Sequence, residues 1–307
     1  MKRTCEILGL GSTAVDEILF VPRYPEADSK VQVRARERSC GGLTATALVA
    51  GARLGARCSY AGCLGDDDDS RFVLETFRRE GVDVSGVSFD RRAGPIRSVI
   101  VVDEQKQSRA IFYHTARALG AAPNRPTAKQ IQAAKVLLVD RFGIPGMVRA
   151  ARLARQAGVA VVADFEHFRA PQFEQILPWP DHLVVSDDFA RGYTGQRSPA
   201  RAAEKLWTKG RAVVVVTCGA QGCWYLGEGL ARPLHFPAFR VRAVDTTGCG
   251  DVFHGAYAAG LVWGWPLRER VRFASATAAL KATRPGGQAG IPTRKMVERF
   301  LSDEIVR

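Results

Sequence analysis

No apolar run in the 307 residues approaches the roughly 18 needed to span a bilayer, so a membrane segment is not expected. The seven cysteines, at 5, 40, 58, 63, 218, 223 and 249, never form Cys-x-x-Cys, and their number is odd. That spacing argues against zinc and against a disulfide framework, and a reducing, cytoplasmic setting is expected. Met1-Lys2-Arg3-Thr4-Cys5-Glu6 runs straight into Ile7-Leu8-Gly9-Leu10 without a long apolar region, so a secretory signal is not expected either. Internal repeats, low-complexity tracts and Ser- or Pro-rich linkers are missing. A chain of this length buries a substantial core, and one domain over 1–307 is expected. Acidic residues are in short supply: 31 Asp and Glu face 44 Lys and Arg, a net charge of +13. The basic residues are dispersed, with neither zinc-finger spacing nor an RNA-recognition motif. The excess therefore reads as attraction for small anions, not nucleic acid. A Walker P-loop is also lacking. Gly9-Leu10-Gly11-Ser12-Thr13-Ala14 matches a dinucleotide-binding pattern, but the β-like Val15–Val21 and then Pro22 follow it, so no long helix starts there and that reading fails.

What is present is an alternation. Cys5–Leu10, Cys58–Ala61, Val136–Val139, Val159–Asp164, His182–Val185 and Ala212–Thr217 read as strands. Leu43–Leu54, Ser70–Glu80, Met147–Gln156, Arg201–Lys209, Val252–Trp263 and Leu267–Thr283 read as helices. Apolar strands between amphipathic helices predict an α/β fold with a mostly parallel central sheet covered on both faces. Val15–Phe20, Lys30–Glu37, Arg97–Val102 and Ser108–Tyr113 alternate more strongly and predict a small side sheet, polar on one face. Gly65-Asp66-Asp67-Asp68-Asp69-Ser70 reads as a loop and acidic helix start in preference to a metal cluster.

The chemistry concentrates in Asp245-Thr246-Thr247-Gly248-Cys249-Gly250-Asp251-Val252-Phe253-His254-Gly255. Glycines just before an apolar helix leave backbone amides and the positive end of the helix dipole open to an anion. Gly248, Cys249 and Gly250 are the expected anion hole. Asp251 follows at once, where a carboxylate could take the proton of a hydroxyl attacking a phosphoryl group.

This string resembles the C-terminal signature of the ribokinase/PfkB family of carbohydrate kinases. Cys40-Gly41-Gly42-Leu43-Thr44-Ala45-Thr46-Ala47 resembles the family's sugar-binding glycine pair, and Thr217-Cys218-Gly219-Ala220-Gln221-Gly222 resembles its nucleotide-binding turn. Order and spacing agree from residue 7 to residue 292. The resemblance implies a three-layer α/β/α fold with a β-sheet lid drawn from about 13–38 and 96–115, which also makes a homodimer. It implies ATP with Mg²⁺, a nucleotide pocket shaped by Thr217, Gly219 and Gly222, and a sugar held by Asp16, Gly41 and Gly42. Family members often carry Asn where this chain has Thr46. Many also carry Asn-x-x-Glu near the nucleotide; here Ser186-Asp187-Asp188-Phe189 stands in its place, with Asp187 the candidate substitute. Asp245, Thr247, Ala282 and Gly287 would form a potassium site beside the anion hole.

Within the family, Arg272-Phe273-Ala274-Ser275, Ala278-Ala279-Leu280-Lys281 and Thr283-Arg284-Pro285-Gly286-Gly287 through Pro292 resemble the sulfofructose kinase branch. Tyr113 falls where that branch has Asn, and Arg141 lies one residue from its Arg. With Lys30, Arg34, Arg36, Arg97 and Arg109 on the lid-like strands and their approaches, the substrate is expected to be a sugar, or an acidic sugar bound by Lys30, Arg109 and Arg141. A nucleoside kinase, with Phe20, Phe112 and Tyr113 against a base, and a non-catalytic sugar sensor are the alternatives.

Overall fold

The computed structural model describes residues 5–106 and 108–304. Fourteen strands are found among them: β1 (Ile7–Leu10), β2 (Ala14–Val21), β3 (Ala35–Gly41), β4 (Cys58–Tyr60), β5 (Cys63–Leu64), β6 (Ser88–Phe89), β7 (Ile96–Asp103), β8 (Ser108–His114), β9 (Val136–Val139), β10 (Ala160–Phe165), β11 (His182–Ser186), β12 (Val213–Thr217), β13 (Cys223–Gly227) and β14 (Leu234–Phe236). Eight form one sheet in the order β14-β13-β12-β11-β10-β9-β1-β4. It is parallel from β4 to β12, and β13 and β14 add an antiparallel edge. Alternation along each strand feeds two separate cores. Val213 and Val215 join one apolar cluster and Val214 and Val216 the other. Helices Leu43–Arg53, Cys249–Val262 and Leu267–Ala282 cover the first face, and Ile144–Gln156 and Pro199–Leu206 the second. The result is the three-layer α/β/α arrangement expected.

The four alternating segments form one smaller sheet, ordered β3-β2-β7-β8. Two antiparallel pairs are joined by the parallel β2·β7 contact. The third strand runs later than expected: Ala35 pairs with Phe20, and the strand continues to Gly41, leaving Lys30 before it. The expected strand at Lys30–Glu37 had followed the alternation, but the ladder follows the partner strand β2. The tetra-aspartate run leads into a helix. Asp67 caps helix Asp68–Arg79 by accepting from the Ser70 amide at 2.9 Å. Asp67 also pairs with Arg117, and Asp69 with Arg38 of β3 and Arg97 of β7, so the run anchors the small sheet to the body. No helix among the described residues is long and apolar enough to cross a membrane.

Candidate active site

The chain crosses from β1 to β4 on one side and returns to β9 on the other, so the strand order reverses between β1 and β9. Ligands of open parallel sheets bind beyond the carboxyl ends at such a reversal. Asp140 follows β9 there and is fully buried. Its Oδ2 accepts from the Ser12 amide at 2.6 Å, the Ser12 hydroxyl at 2.8 Å and the Thr44 hydroxyl at 3.1 Å; its Oδ1 accepts from the Phe142 amide at 2.8 Å. Burial still raises its pKa, although those hydrogen bonds oppose the shift. Asp140 thus ties the ends of β1 and β9 to the start of the Leu43–Arg53 helix.

That helix begins at Gly42, whose φ is 97°, and helix Cys249–Val262 begins at Gly248, whose φ is 73°. Both values suit glycine. At Gly42 a Cβ would lie 2.7 Å from the Thr13 backbone. The two helices pack so closely through Gly255 that a Cβ there would meet the Ala47 carbonyl at 2.2 Å. Their N-termini consequently meet: a Cβ on Gly248 would lie 3.4 Å from Thr46 Cγ2 and 3.7 Å from Asp251 Oδ2. Thr46 Oγ1 is 3.4 Å from Gln288 Nε2.

Asp16 stands in mid-β2, level with Ser39 and Ser98, and Ser98 is level with Tyr113. Paired residues in a ladder share a face, so one row carries Ser39, Asp16, Ser98 and Tyr113. A Cβ on Gly41 would come within 2.5 Å of Asp16 Oδ2. Glycine at 41 therefore makes room for that carboxylate. Burial raises the Asp16 pKa, partly offset by a hydrogen bond from Ser98. The structure brings Asp16, Gly41, Gly42, Thr46, Gly248 and Asp251 into one contiguous region.

Asp251 lies in the first turn of its helix. Burial pushes its pKa well above the carboxylate range, and the negative charges of Asp164 and Glu166 add to the effect. Asp164, at the end of β10, is pushed in the same direction by burial and by Glu166. His254 lies one helical turn beyond Gly250. Its Nδ1 is 2.8 Å from the Gly250 carbonyl and 3.2 Å from Asp164 Oδ2, and its Nε2 is 2.9 Å from the Val184 carbonyl. Burial lowers the His254 pKa, yet both ring nitrogens face acceptors, a geometry that asks for two donors. The expected anion hole needs one amendment. The Cys249 amide donates to the Thr246 carbonyl at 3.2 Å and is turned away. Gly248 and Gly250, the latter with a Cβ position that opens on empty space, and the Asp251 amide remain at the helix start.

Thr217 ends β12 and donates to the Val185 carbonyl at 3.3 Å. A short turn, Gly219–Gln221, follows, and Gly222 adopts φ 90°, where a Cβ would strike the Phe236 carbonyl. These glycines shape the turn itself. Ser186 caps helix Asp187–Thr194. Asp187 Oδ1 is buried without a hydrogen bond, which suits a carboxylate awaiting a hydrated Mg²⁺. Among the described residues no trio of His, Cys, Asp or Glu could hold a metal by itself.

Of the four residues expected to bind potassium, Asp245 and Ala282 have oxygens that are already engaged. The Ala282 carbonyl accepts from the Val244 amide at 2.7 Å and the Asp245 amide at 3.1 Å. Asp245 Oδ1 accepts from the Thr247 amide and hydroxyl at 2.8 and 2.6 Å and from Arg109 at 3.0 Å. Its Oδ2 accepts from the Gly286 amide at 2.9 Å. The Asp245 carbonyl accepts from the Lys281 ammonium at 2.9 Å.

Most lid cations are also engaged. Arg34 pairs with Glu104, Arg36 with Glu17, Arg97 with Asp69 and Arg109 with Asp245. Lys30 is exposed. Arg141 differs: its guanidinium lies 4.4 Å from the Phe142 ring centroid, and its Nε is buried without a hydrogen bond. Sequence reasoning gave no role to Asp140, Asp164, Glu166 or Ser98, and took Lys281 only as part of a family motif. An acidic residue at the carboxyl end of a predicted parallel strand was the available signal for Asp140 and Asp164.

The chain is similar to known proteins over nearly its whole length. Ribokinase of Haemophilus influenzae is 28% identical over 311 residues, covering 98% of this chain and 99% of the relative. Fructokinase-1 of Oryza sativa subsp. japonica is 26% identical over 328 residues, covering 96% and 97%. The crystal structure of ribokinase from Thermotoga maritima superposes with a TM-score of 0.84 at 26% identity, covering 97% of this chain and 99% of that one. The profile of the pfkB family carbohydrate kinases matches residues 6–294, and the chain belongs to that family.

Proposed function

We propose that this protein transfers the γ-phosphoryl group of ATP to a hydroxyl, expected to be primary, of a sugar or sugar-like polyol. The observation that carries this reading is the meeting of two glycine-capped helix starts at Gly42 and Gly248, with Asp251 beside one and Asp16 beside the other. Asp16, with Ser98 in the same row, accepts and orients sugar hydroxyls. Asp251 takes the proton of the attacking hydroxyl, and its raised pKa makes it a better base than an ordinary carboxylate. The amides of Gly250 and Asp251 stabilise charge on the phosphoryl oxygens. Thr217, Gly219 and Gly222 border the nucleotide. Asp187 would hold Mg²⁺ through its water shell, and the ion would neutralise phosphate charge. The small sheet acts as a lid that excludes water. Its exposed Val99 and Phe112 form an opposed pair on the face away from Asp16, which supports a homodimer through this sheet. Seven free cysteines support a cytoplasmic setting.

A second reading concerns the substrate. The unpartnered Nε of Arg141 favours an acceptor carrying a carboxylate, sulfonate or phosphate. The test is ATP consumption measured across neutral sugars, sugar acids, sulfosugars and nucleosides. Turnover of nucleosides alone would replace the sugar reading. ATP binding with no turnover of any acceptor would favour a sensor.

A further inference from the structure

Lys281 is a lysine with a fully buried side chain in the last turn of helix Leu267–Ala282. A buried ammonium is costly unless it is hydrogen-bonded and paired. This one donates to the Asp245 carbonyl at 2.9 Å and lies 4.0 Å from Asp245 Oδ2. Asp245 opens the loop that ends at the Gly248 helix cap, so the ammonium acts on the segment that shapes the anion hole. Around it, the oxygens of Asp245 and Ala282 that could serve a small cation are already engaged. The Ala282 carbonyl holds two amides, and the Asp245 carboxylate holds Thr247, Gly286 and Arg109. A potassium ion would need several free oxygens at this point. The chain offers instead a tethered positive charge that cannot diffuse away.

We propose that the Lys281 ammonium replaces a monovalent cation behind the anion hole, so that the enzyme works at full rate without potassium. Lys281 is on this view a positioning residue. It holds Asp245 and, through the loop, the Gly250 and Asp251 amides. The statement about turnover rests on the kinase reading; the statement about the cation position does not.

Two measurements separate them. The first replaces all potassium and sodium with tetramethylammonium at constant ionic strength. Wild-type kcat should stay within about twofold, whereas Lys281→Ala should fall by about tenfold or more and recover when potassium or ammonium is added. Lys281→Met, which fills the space without charge, should fall equally and not recover. The second soaks crystals in thallium(I) and reads anomalous scattering beside the Asp245 carbonyl. Wild type should show no peak there, and Lys281→Ala should show one. A wild-type enzyme stimulated tenfold by potassium, or a thallium peak in wild type, overturns the proposal. So does a folded Lys281→Ala protein that is as active as wild type without potassium, or inactive whatever cation is added. If Lys281→Ala does not fold, the wild-type arms still decide. If no acceptor is phosphorylated, the kinase reading fails and the thallium result still judges the cation position.

Discussion

Arg109, on the last strand of the small sheet, donates to the Asp245 carboxylate at 3.0 Å, across 136 positions of sequence. The pair joins the sheet directly to the loop that ends at the Gly248 helix cap. Arg109 thereby carries one ion pair between the small sheet and that loop. The pair is partly exposed, so its strength is modest, about 0.2–1 kcal/mol. Arg109→Ala is expected to raise the acceptor KM about two- to fivefold, with a smaller effect on ATP affinity. Steady-state kinetics with each substrate varied in turn checks this. A variant that loses ATP affinity and keeps the acceptor KM would place Arg109 at the nucleotide.

Asp251→Asn should lower kcat by roughly 10²–10⁴ and leave ATP binding by calorimetry nearly unchanged. Because burial and the charges of Asp164 and Glu166 raise its pKa, the base is lost as pH falls through a value above the usual carboxylate range. The acid limb of kcat/KM should accordingly lie above that range. Asp164→Asn removes one of the raising charges and should move the limb toward lower pH. A limb in the ordinary carboxylate range, unmoved by Asp164→Asn, would detach it from Asp251.

The same shift has a stability consequence. A carboxyl whose folded pKa is raised binds more protons in the native state than in the unfolded state. Its ionisation then costs stability, beginning above the unfolded value of 3.8 and complete above the raised value. Asp251→Asn removes the cost. Its melting temperature should exceed that of wild type by at least about 2 °C at pH 8, and the gain should shrink as pH falls toward 4. Calorimetric scans without nucleotide measure it. A gain that grows on acidification would show the opposite sign of shift.

The helix starts that frame the candidate site were legible in the residues because glycine carries local information. Gly42 and Gly248 announce helix starts in a backbone region that other residues avoid, and Asp251 follows one of them directly. Four consecutive valines at 213–216 announce a strand buried on both faces. Partnerships between distant segments were not legible. No local pattern marks Asp140 as the acceptor of the Ser12 and Thr44 hydroxyls, which come from distant segments. Lys281 entered only as part of a family motif, and it is the Asp245 loop folded over it that reveals a buried charge. The antiparallel edge β13–β14 was missed because its short strands follow a glycine turn without a helix between them.

Asp16→Ala should raise the acceptor KM strongly and leave ATP affinity almost intact. Losing a charged hydrogen-bond partner costs about 1.5–3 kcal/mol, or about 10- to 150-fold in affinity. Gly41→Ala should reproduce part of the effect, because its methyl group would press on Asp16 Oδ2 at 2.5 Å. Calorimetry with acceptor and with a non-hydrolysable ATP analogue distinguishes the two sites. Abolished nucleotide binding with normal acceptor binding would exchange their assignment.

Substrate charge is decided by which cations remain available. Arg34, Arg36, Arg97 and Arg109 are each neutralised by a carboxylate, so an anionic acceptor cannot depend on the whole basic rim. Arg141 keeps a buried donor unpaired, and an unpaired buried donor gains most from a charged acceptor. Lys30 is exposed and would contribute only long-range attraction. The two residues should therefore fail differently. Arg141→Gln is expected to cost an acidic sugar about tenfold or more in kcat/KM while sparing its neutral counterpart. Lys30→Ala should change kcat/KM little at moderate salt but flatten its decline as salt rises, because screening acts on exposed charge first. Matched acidic and neutral sugars, assayed at low and moderate ionic strength, supply both readings. A neutral sugar turned over equally well, indifferent to both variants, would leave Arg141 packed on Phe142 for structure alone.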